Sequence, residues 1–164
     1  MAKHVVDALI EIPLGSKNKY EIDKTNGRIR LDRVLYASMI YPAEYGIVEN
    51  TLAPDGDPLD ILVICSEASF AGCTVPARIL GYLALTDNGK EDYKIISVVD
   101  CDPRYDDTQT LSDLSPFVLK EIANFFANYK VLQNIEVKVG DYHEKDAALE
   151  ILSACRAAYQ AANN

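Results

Sequence analysis

Short β-rich runs separated by turn signals fill residues 5 to 99, and helical periodicity takes over from 116 to 160. That partition constrains the fold more than any other feature, because strands gathered in one half and helices in the other favour α+β over alternating α/β. Strands are expected at 5 to 12, 19 to 24, 28 to 36, 59 to 65, 74 to 86 and 94 to 99, with Asn26-Gly27 as a two-residue hairpin turn. Several short, mostly antiparallel strands of this kind suggest a small barrel. A first helix is expected from Pro116 to about Lys130, with Ser115 as N-cap and Val118, Ile122, Phe125 and Tyr129 on one face. A second, from Lys145 to Ala161, carries Ala148, Ile151, Leu152, Cys155 and Tyr159 as a packing stripe. Between them, Ile135 to Val139 alternates like one more strand.

The chain has 164 residues, 49% of them hydrophobic, which suits a single domain over 1–164 with a genuine core. Acidic residues outnumber basic ones 25 to 16, a net charge of −9. Nucleic acid and anionic membranes are therefore poor general partners, since phosphate-backbone binding rests on a basic surface. A small anionic substrate stays open if cations are concentrated locally. Cys65, Cys73, Cys101 and Cys155 match no zinc or redox spacing and read as reduced core or near-core residues. The N-terminal segment MAKHVVDALIEIP fits neither a signal peptide nor a membrane span, and the cytoplasm is the simplest address. His4 and His143 suit loop or surface positions and form no histidine-rich metal centre.

Residues 55 to 60 read Asp-Gly-Asp-Pro-Leu-Asp. Gly and Pro exclude a helix, so Asp55, Asp57 and Asp60 project from a bend into an extended segment. Two ionised carboxylates about 4 to 5 Å apart repel by roughly 3 to 4 kcal/mol at an effective dielectric near 20. Three on one wall need a cation, a shared proton or full exposure, and an exposed turn between strands is the plain alternative. An EF-hand loop starting at Asp55 would need Gly and Glu where the chain has Asp60 and Ser66. No Walker A loop, HExxH or Gly-x-Ser-x-Gly elbow occurs.

Other polar clusters have ordinary readings when taken singly. In Lys19-Tyr20-Glu21-Ile22-Asp23 the charged side chains share one strand face. A two-residue turn at Asn26-Gly27 would set Asp23 against Arg30 and Glu21 against Asp32. Glu11 reads as the outward residue of a half-buried strand, and Tyr41-Pro-Ala-Glu-Tyr45-Gly46 as a packed loop with partly exposed phenols. Asp87 opens an acidic turn beyond which Asp92 and Lys94 point the same way. The acids between Asp100 and Asp107 read as a polar loop before the helix.

Taken in order, Glu11, Lys19-Tyr20-Glu21, Asp32-Arg33, Tyr41-Pro-x-x-Tyr45-Gly46, Asp55-Gly-Asp57-Pro-Leu-Asp60, Asp87, Asp92-x-Lys94 and Tyr129-Lys130 resemble the soluble family I inorganic pyrophosphatases of bacterial type. The likeness covers residues 8 to 132. It implies a small OB-like five-stranded β-barrel with flanking α-helices, magnesium-dependent hydrolysis of pyrophosphate to two phosphates, and usually a homohexamer. It also implies Asp55, Asp60, Asp87 and Asp92 as principal metal ligands, with Glu21 adding further metal or water contacts. Asp57 would be the general base toward the attacking water. Lys19, Arg33, Tyr45, Lys94, Tyr129 and Lys130 would hold the phosphates, with Glu11 and Tyr41 in support. Mg2+ suits such an all-oxygen set, and Mn2+ or another divalent ion could replace it. Two departures stand out: Asn88 follows Asp87 where many relatives carry a second acid, and Glu44 replaces the Asn or Asp usual before Tyr45-Gly46. The rival classes are an OB-type module for single-stranded nucleic acid, disfavoured by charge, and a hydrolase of another phosphoanhydride such as a nucleoside triphosphate.

Overall fold

The computed structural model describes residues 3–164, so Met1 and Ala2 of the N-terminal segment lie outside it. Its strands are β1 (Val5–Ile12), β2 (Asn18–Ile22), β3 (Ile29–Val34), β4 (Glu44–Val48), β5 (Leu59–Ile64), β6 (Thr74–Asp87), β7 (Lys90–Val99) and β8 (Val137–Glu144). Its helices are α1 (Pro116–Asn128) and α2 (Lys145–Ala162). Strands β1, β4, β5, β7 and β6 pair in that order, and β6 pairs back onto β1, so five strands close into a ring. Only β5–β7 is parallel, and β8 adds to β6 outside the ring. Closure removes the sheet edges that would invite aggregation. The fold is α+β, an OB-like five-stranded barrel with flanking helices.

Two apolar clusters hold it together. One draws side chains from all five ring strands, among them Ala8, Ile10, Val48, Ile61, Ile79 and Ile95, and joins them to Ala148, Leu152 and Cys155 of α2. The other sets Leu62, Leu83 and Ile96 against Ile122, Phe125 and Phe126 of α1. Both expected helices thus bury the anticipated faces, although Ser115 makes no side-chain cap and the start of α1 relies on Pro116, whose missing N–H would be unpaired there anyway. No helix among the described residues is long and apolar enough to cross a membrane.

Several expectations need correction. The segment read as a packed loop at Tyr41 to Gly46 contains the start of β4, hidden by the polar Glu44 and by Gly46. That glycine is a packing requirement, because a Cβ there would sit 2.1 Å from the Leu9 carbonyl oxygen. Tyr41 is buried rather than partly exposed. Strand β7 starts at Lys90, four residues before the expected Lys94, under a charged Lys-Glu-Asp lead-in, and β8 runs on to Glu144 and includes His143. Cys101 is exposed, while the other three cysteines are buried or half-buried, and all four are free.

The two-residue turn expected at Asn26-Gly27 does not form. The β2–β3 connection spans Lys24 to Gly27, with the Asp23 carboxylate accepting from Thr25 N, Thr25 Oγ1 and Asn26 Nδ2. An Asx turn of this kind outcompetes the tight hairpin. The four-residue connection pairs Asp23 with Arg28 and sets Glu21 against Arg30 rather than Asp32, and a bulge at Asp32, beyond Tyr20, then brings Lys19 opposite Arg33. The two-residue turn is instead Asn88-Gly89 between β6 and β7, where both residues have positive φ (48° and 80°) and Asp87 pairs with Lys90. An acidic residue in place of Asn88 would tolerate that conformation less well than Asn.

Candidate active site

One cleft of about 670 Å³ opens between the β2–β3 hairpin and the barrel. Ladder geometry assembles much of it. Asp60 on β5 pairs in register with Lys94 on β7, and Ile47 on β4 pairs with Asp60 from the other side. Tyr45 lies two residues from Ile47 and Asp92 two from Lys94, so a period of two brings all four polar side chains onto one face. Lys94, only 3% exposed, donates to Asp60 at 2.7 Å and to the Tyr45 hydroxyl at 2.8 Å, and lies 2.9 Å from Asp92. It also sits over the Tyr45 and Phe126 rings at 5.3 and 5.5 Å.

Burial alone would depress the Lys94 pKa, but Asp60 and Asp92 hold it well above the ordinary lysine range. One ammonium between two carboxylates leaves an excess negative charge. Asp92 titrates above the usual carboxylate range, chiefly because burial outweighs the attraction of Lys94, with Asp60 and Asp55 adding to the rise. Asp55 is raised in the same way by burial, Asp60 and Asp57. Glu11 is raised by burial and by Asp60 and Glu21, against a hydrogen bond from Ile22 N at 2.9 Å.

The hexapeptide is a knotted turn. Asp57 N donates to Asp55 Oδ1 at 3.0 Å, Ala53 N to Asp57 O at 2.8 Å and Gly56 N to Ala53 O at 3.0 Å, with Gly56 at φ 89°. At the far end of the cleft Lys130 donates to Asp87 at 2.5 Å and lies 5.3 Å from the Tyr129 ring, both residues following the last turn of α1. Lys19 bridges Asp32 at 3.1 Å and Glu21 at 3.5 Å on the hairpin wall.

The cleft therefore gathers Glu11, Lys19, Glu21, Tyr45, Asp55, Asp57, Asp60, Asp87, Asp92, Lys94, Tyr129 and Lys130 from segments up to 119 residues apart. Two candidates do not line it. Tyr41 is packed behind Tyr45 and against Phe125, with ring centroids 5.4 and 4.8 Å away. Arg33 pairs with Asp32 at 3.5 Å, and its Nε is buried without a partner. The sequence reading missed Asp23, Lys24, Thr25 and Arg30 at the hairpin, which line the same cleft. Their signal was the density of charge after Tyr20, in Glu21, Asp23, Lys24, Arg28 and Arg30, which the two-residue turn assignment pointed elsewhere.

As they stand, the carboxylates lean on lysines, and no three acidic, Cys or His side chains among the described residues are grouped tightly enough to cage a metal. The donor set still fits divalent cations. The lining holds eight carboxylates against five Lys and Arg, a formal charge of −3, and three of the acids are raised, chiefly by burial and further by neighbouring carboxylates. All-oxygen ligands of that charge suit a hard ion such as magnesium.

Glu44 holds the frame around this site. Buried at 1% exposure, its carboxylate accepts from the backbone N–H groups of Leu14 and Ser69, tying the β1–β2 and β5–β6 connections to the start of β4. The departure from the usual Asn or Asp at this position thus has a structural use.

Comparison with known proteins agrees with this geometry. The family described as inorganic pyrophosphatase matches residues 8–160. An inorganic pyrophosphatase of Halalkalibacterium halodurans is 51% identical over 156 residues, covering 95% of this chain and 96% of that one. The crystal structure of inorganic pyrophosphatase from Thermus thermophilus superposes with a TM-score of 0.92 at 43% identity, covering 95% and 91% of the two chains. That of Helicobacter pylori gives 0.92 at 39% identity over 98% of each. With this fold, this cleft and these relatives, the chain belongs to the inorganic pyrophosphatases, a family of enzymes, and is of the bacterial family I type.

Proposed function

We propose that the protein hydrolyses inorganic pyrophosphate to two phosphates in a magnesium-dependent reaction, with the whole chain, 1–164, acting as one catalytic domain. The observation that carries this reading is the charge of the cleft: Lys and Arg suited to a polyanion are interleaved with a larger number of carboxylates, giving −3 overall. Such a site holds pyrophosphate only together with cations. Asp55, Asp60, Asp87 and Asp92, with Glu21, are the residues to hold Mg2+, and Mn2+ can take the same oxygen ligands. When bound, the ion neutralises substrate charge and makes water more acidic.

Asp57, at the exposed lip of the hexapeptide turn, takes the proton of the attacking water. Lys19, Lys94 and Lys130, with the Tyr45 and Tyr129 hydroxyls, orient the phosphates and stabilise charge on the leaving group, and Arg33, which lies outside the cleft lining, joins them only by releasing Asp32. Burial keeps the Tyr45 phenol well above its ordinary pKa, so it serves as a neutral hydrogen-bond donor. Glu11 supports the acidic wall, and Tyr41 supports Tyr45 from behind. Exposed Ile29, Leu31, Val34, Tyr36 and Ile40, on β3 and the segment after it, support assembly into a homo-oligomer. We propose a homohexamer, acting in the cytoplasm.

Phosphate release from pyrophosphate, measured with magnesium and with EDTA, tests the activity. Release that needs the ion, falls by a factor of about 100 or more in Asp57→Asn and greatly exceeds release from ATP is the expected result. No release, or an unimpaired Asp57→Asn, would overturn the reading. Sedimentation analysis checks the assembly.

A further inference from the structure

We propose that Lys24 is a positioning residue for Asp57, its ammonium fixing the direction in which that carboxylate enters the cleft. The inference rests on the reading of Asp57 as the base toward water. Lys24 Nζ lies 2.6 Å from Asp57 Oδ1, between residues 33 positions apart on opposite walls of the cleft. Both backbones are already fixed. On one side the Asp23 carboxylate clamps Thr25 and Asn26, and Gly27 turns the chain at φ 71°. On the other, the Ala53, Gly56 and Asp57 amides lock the hexapeptide turn.

The Asp57 carboxylate itself is different. Among the described residues Lys24 is its only hydrogen-bond partner, whereas Asp60 and Asp92 share Lys94, Asp87 has Lys130, and Glu11 has the Ile22 amide. The Lys24 and Asp57 side chains are 68% and 62% exposed, so the contact contributes little to folding. What it controls is orientation: one carboxylate oxygen is engaged by the ammonium, which leaves the other to accept from water. Lys24 also has its proton held more firmly, chiefly by the hydrogen bond to Asp57, with Asp55 and Glu21 adding to the field. A base displaced by an ångström loses much of its effect.

The test compares the parent with Lys24→Met, Lys24→Arg, Asp57→Asn and the Lys24→Met/Asp57→Asn pair, in steady-state pyrophosphate hydrolysis at saturating magnesium. Lys24→Met is expected to lower kcat about 10-fold or more with KM and the urea midpoint near parental values. Lys24→Arg should restore most of the loss, and Lys24→Met should have no further effect beside Asp57→Asn. A raised KM with parental kcat would make Lys24 a phosphate anchor and overturn the proposal, as would parental kinetics or an effect that persists beside Asp57→Asn. If Asp57→Asn alone keeps parental kcat, the base assignment fails and the proposal with it. If only Lys24→Met is silent, the positioning role alone fails.

Discussion

Replacing Lys94 with methionine keeps the length of the side chain and removes the one ammonium that Asp60 and Asp92 share. At 2.7 and 2.9 Å each ion pair contributes a gross attraction of about 6 kcal/mol at an effective dielectric near 20. Most of that offsets the desolvation of three buried charges. What remains on removing one partner is the cost of an uncompensated buried carboxylate, about 3 to 5 kcal/mol. Proton uptake caps this penalty. Neutralising a carboxylate of ordinary pKa 3.8 costs about 1.4 kcal/mol for each pH unit above that value, hence about 6 kcal/mol at pH 8 but under 2 at pH 5. Urea unfolding in EDTA should therefore show Lys94→Met less stable than the parent by about 3 to 5 kcal/mol at pH 8 and by less than about 2 at pH 5. Magnesium should recover more stability in the variant than in the parent, since the ion no longer competes with the ammonium. A loss below about 1 kcal/mol at pH 8, or one equal at both pH values, would refute the description of Lys94 as a shared buried counterion.

The raised pKa of Glu11 gives a signed pH test. In the folded protein this carboxyl binds its proton more tightly than the ordinary 4.5, so its contribution is present at low pH and is lost as pH rises through the folded value. Metal-free Glu11→Gln keeps an acceptor for Ile22 N and should match the parent near pH 4, then exceed it by a margin that grows as pH rises through the folded pKa and levels off above it in thermal melts; a difference that shrinks with pH would contradict the burial argument. Gly46→Ala should lose about 3 kcal/mol or more, read by urea denaturation, because the new Cβ meets the backbone at Leu9 and Ile10; a neutral substitution would mean that β1 and β4 are not in this register. Glu44→Ala leaves the Leu14 and Ser69 amides without their acceptor and should cost about 2 kcal/mol or more, with Glu44→Gln intermediate, while parental stability in both would remove its role as a clasp.

The barrel was legible because its strands are short apolar runs, as in Leu59 to Ile64, or alternate in burial, as in Val5 to Ile12, and because closure needs nothing beyond such strands in sequence. Strand β4 was not, since its two least strand-like residues, Glu44 and Gly46, are there for long-range reasons: one gathers two loops and the other lets β1 approach. The hairpin register failed for a related cause. Asp23 hydrogen-bonds its own turn and lengthens it to four residues, and beyond Tyr20 the ladder shifts again where Asp32 bulges out, neither of which alternation reveals. Within the cleft, the carboxylates and their partners Lys94 and Lys130 followed from ordered motifs. Lys24 did not, because its contact with Asp57 exists only once two distant turns meet.

The lysine–carboxylate pairs at Asp60, Asp92 and Asp87 carry a thermodynamic consequence. A cation drawn to these aspartates must displace Lys94 and Lys130, and a polyanion drawn to the lysines must strip them from the same aspartates. Each ligand alone bears the cost of breaking the pairs; the second to arrive finds them already broken. Binding of metal and of anion is thereby linked with positive sign, and linkage is reciprocal, so whatever factor magnesium adds to pyrophosphate affinity, pyrophosphate returns to magnesium.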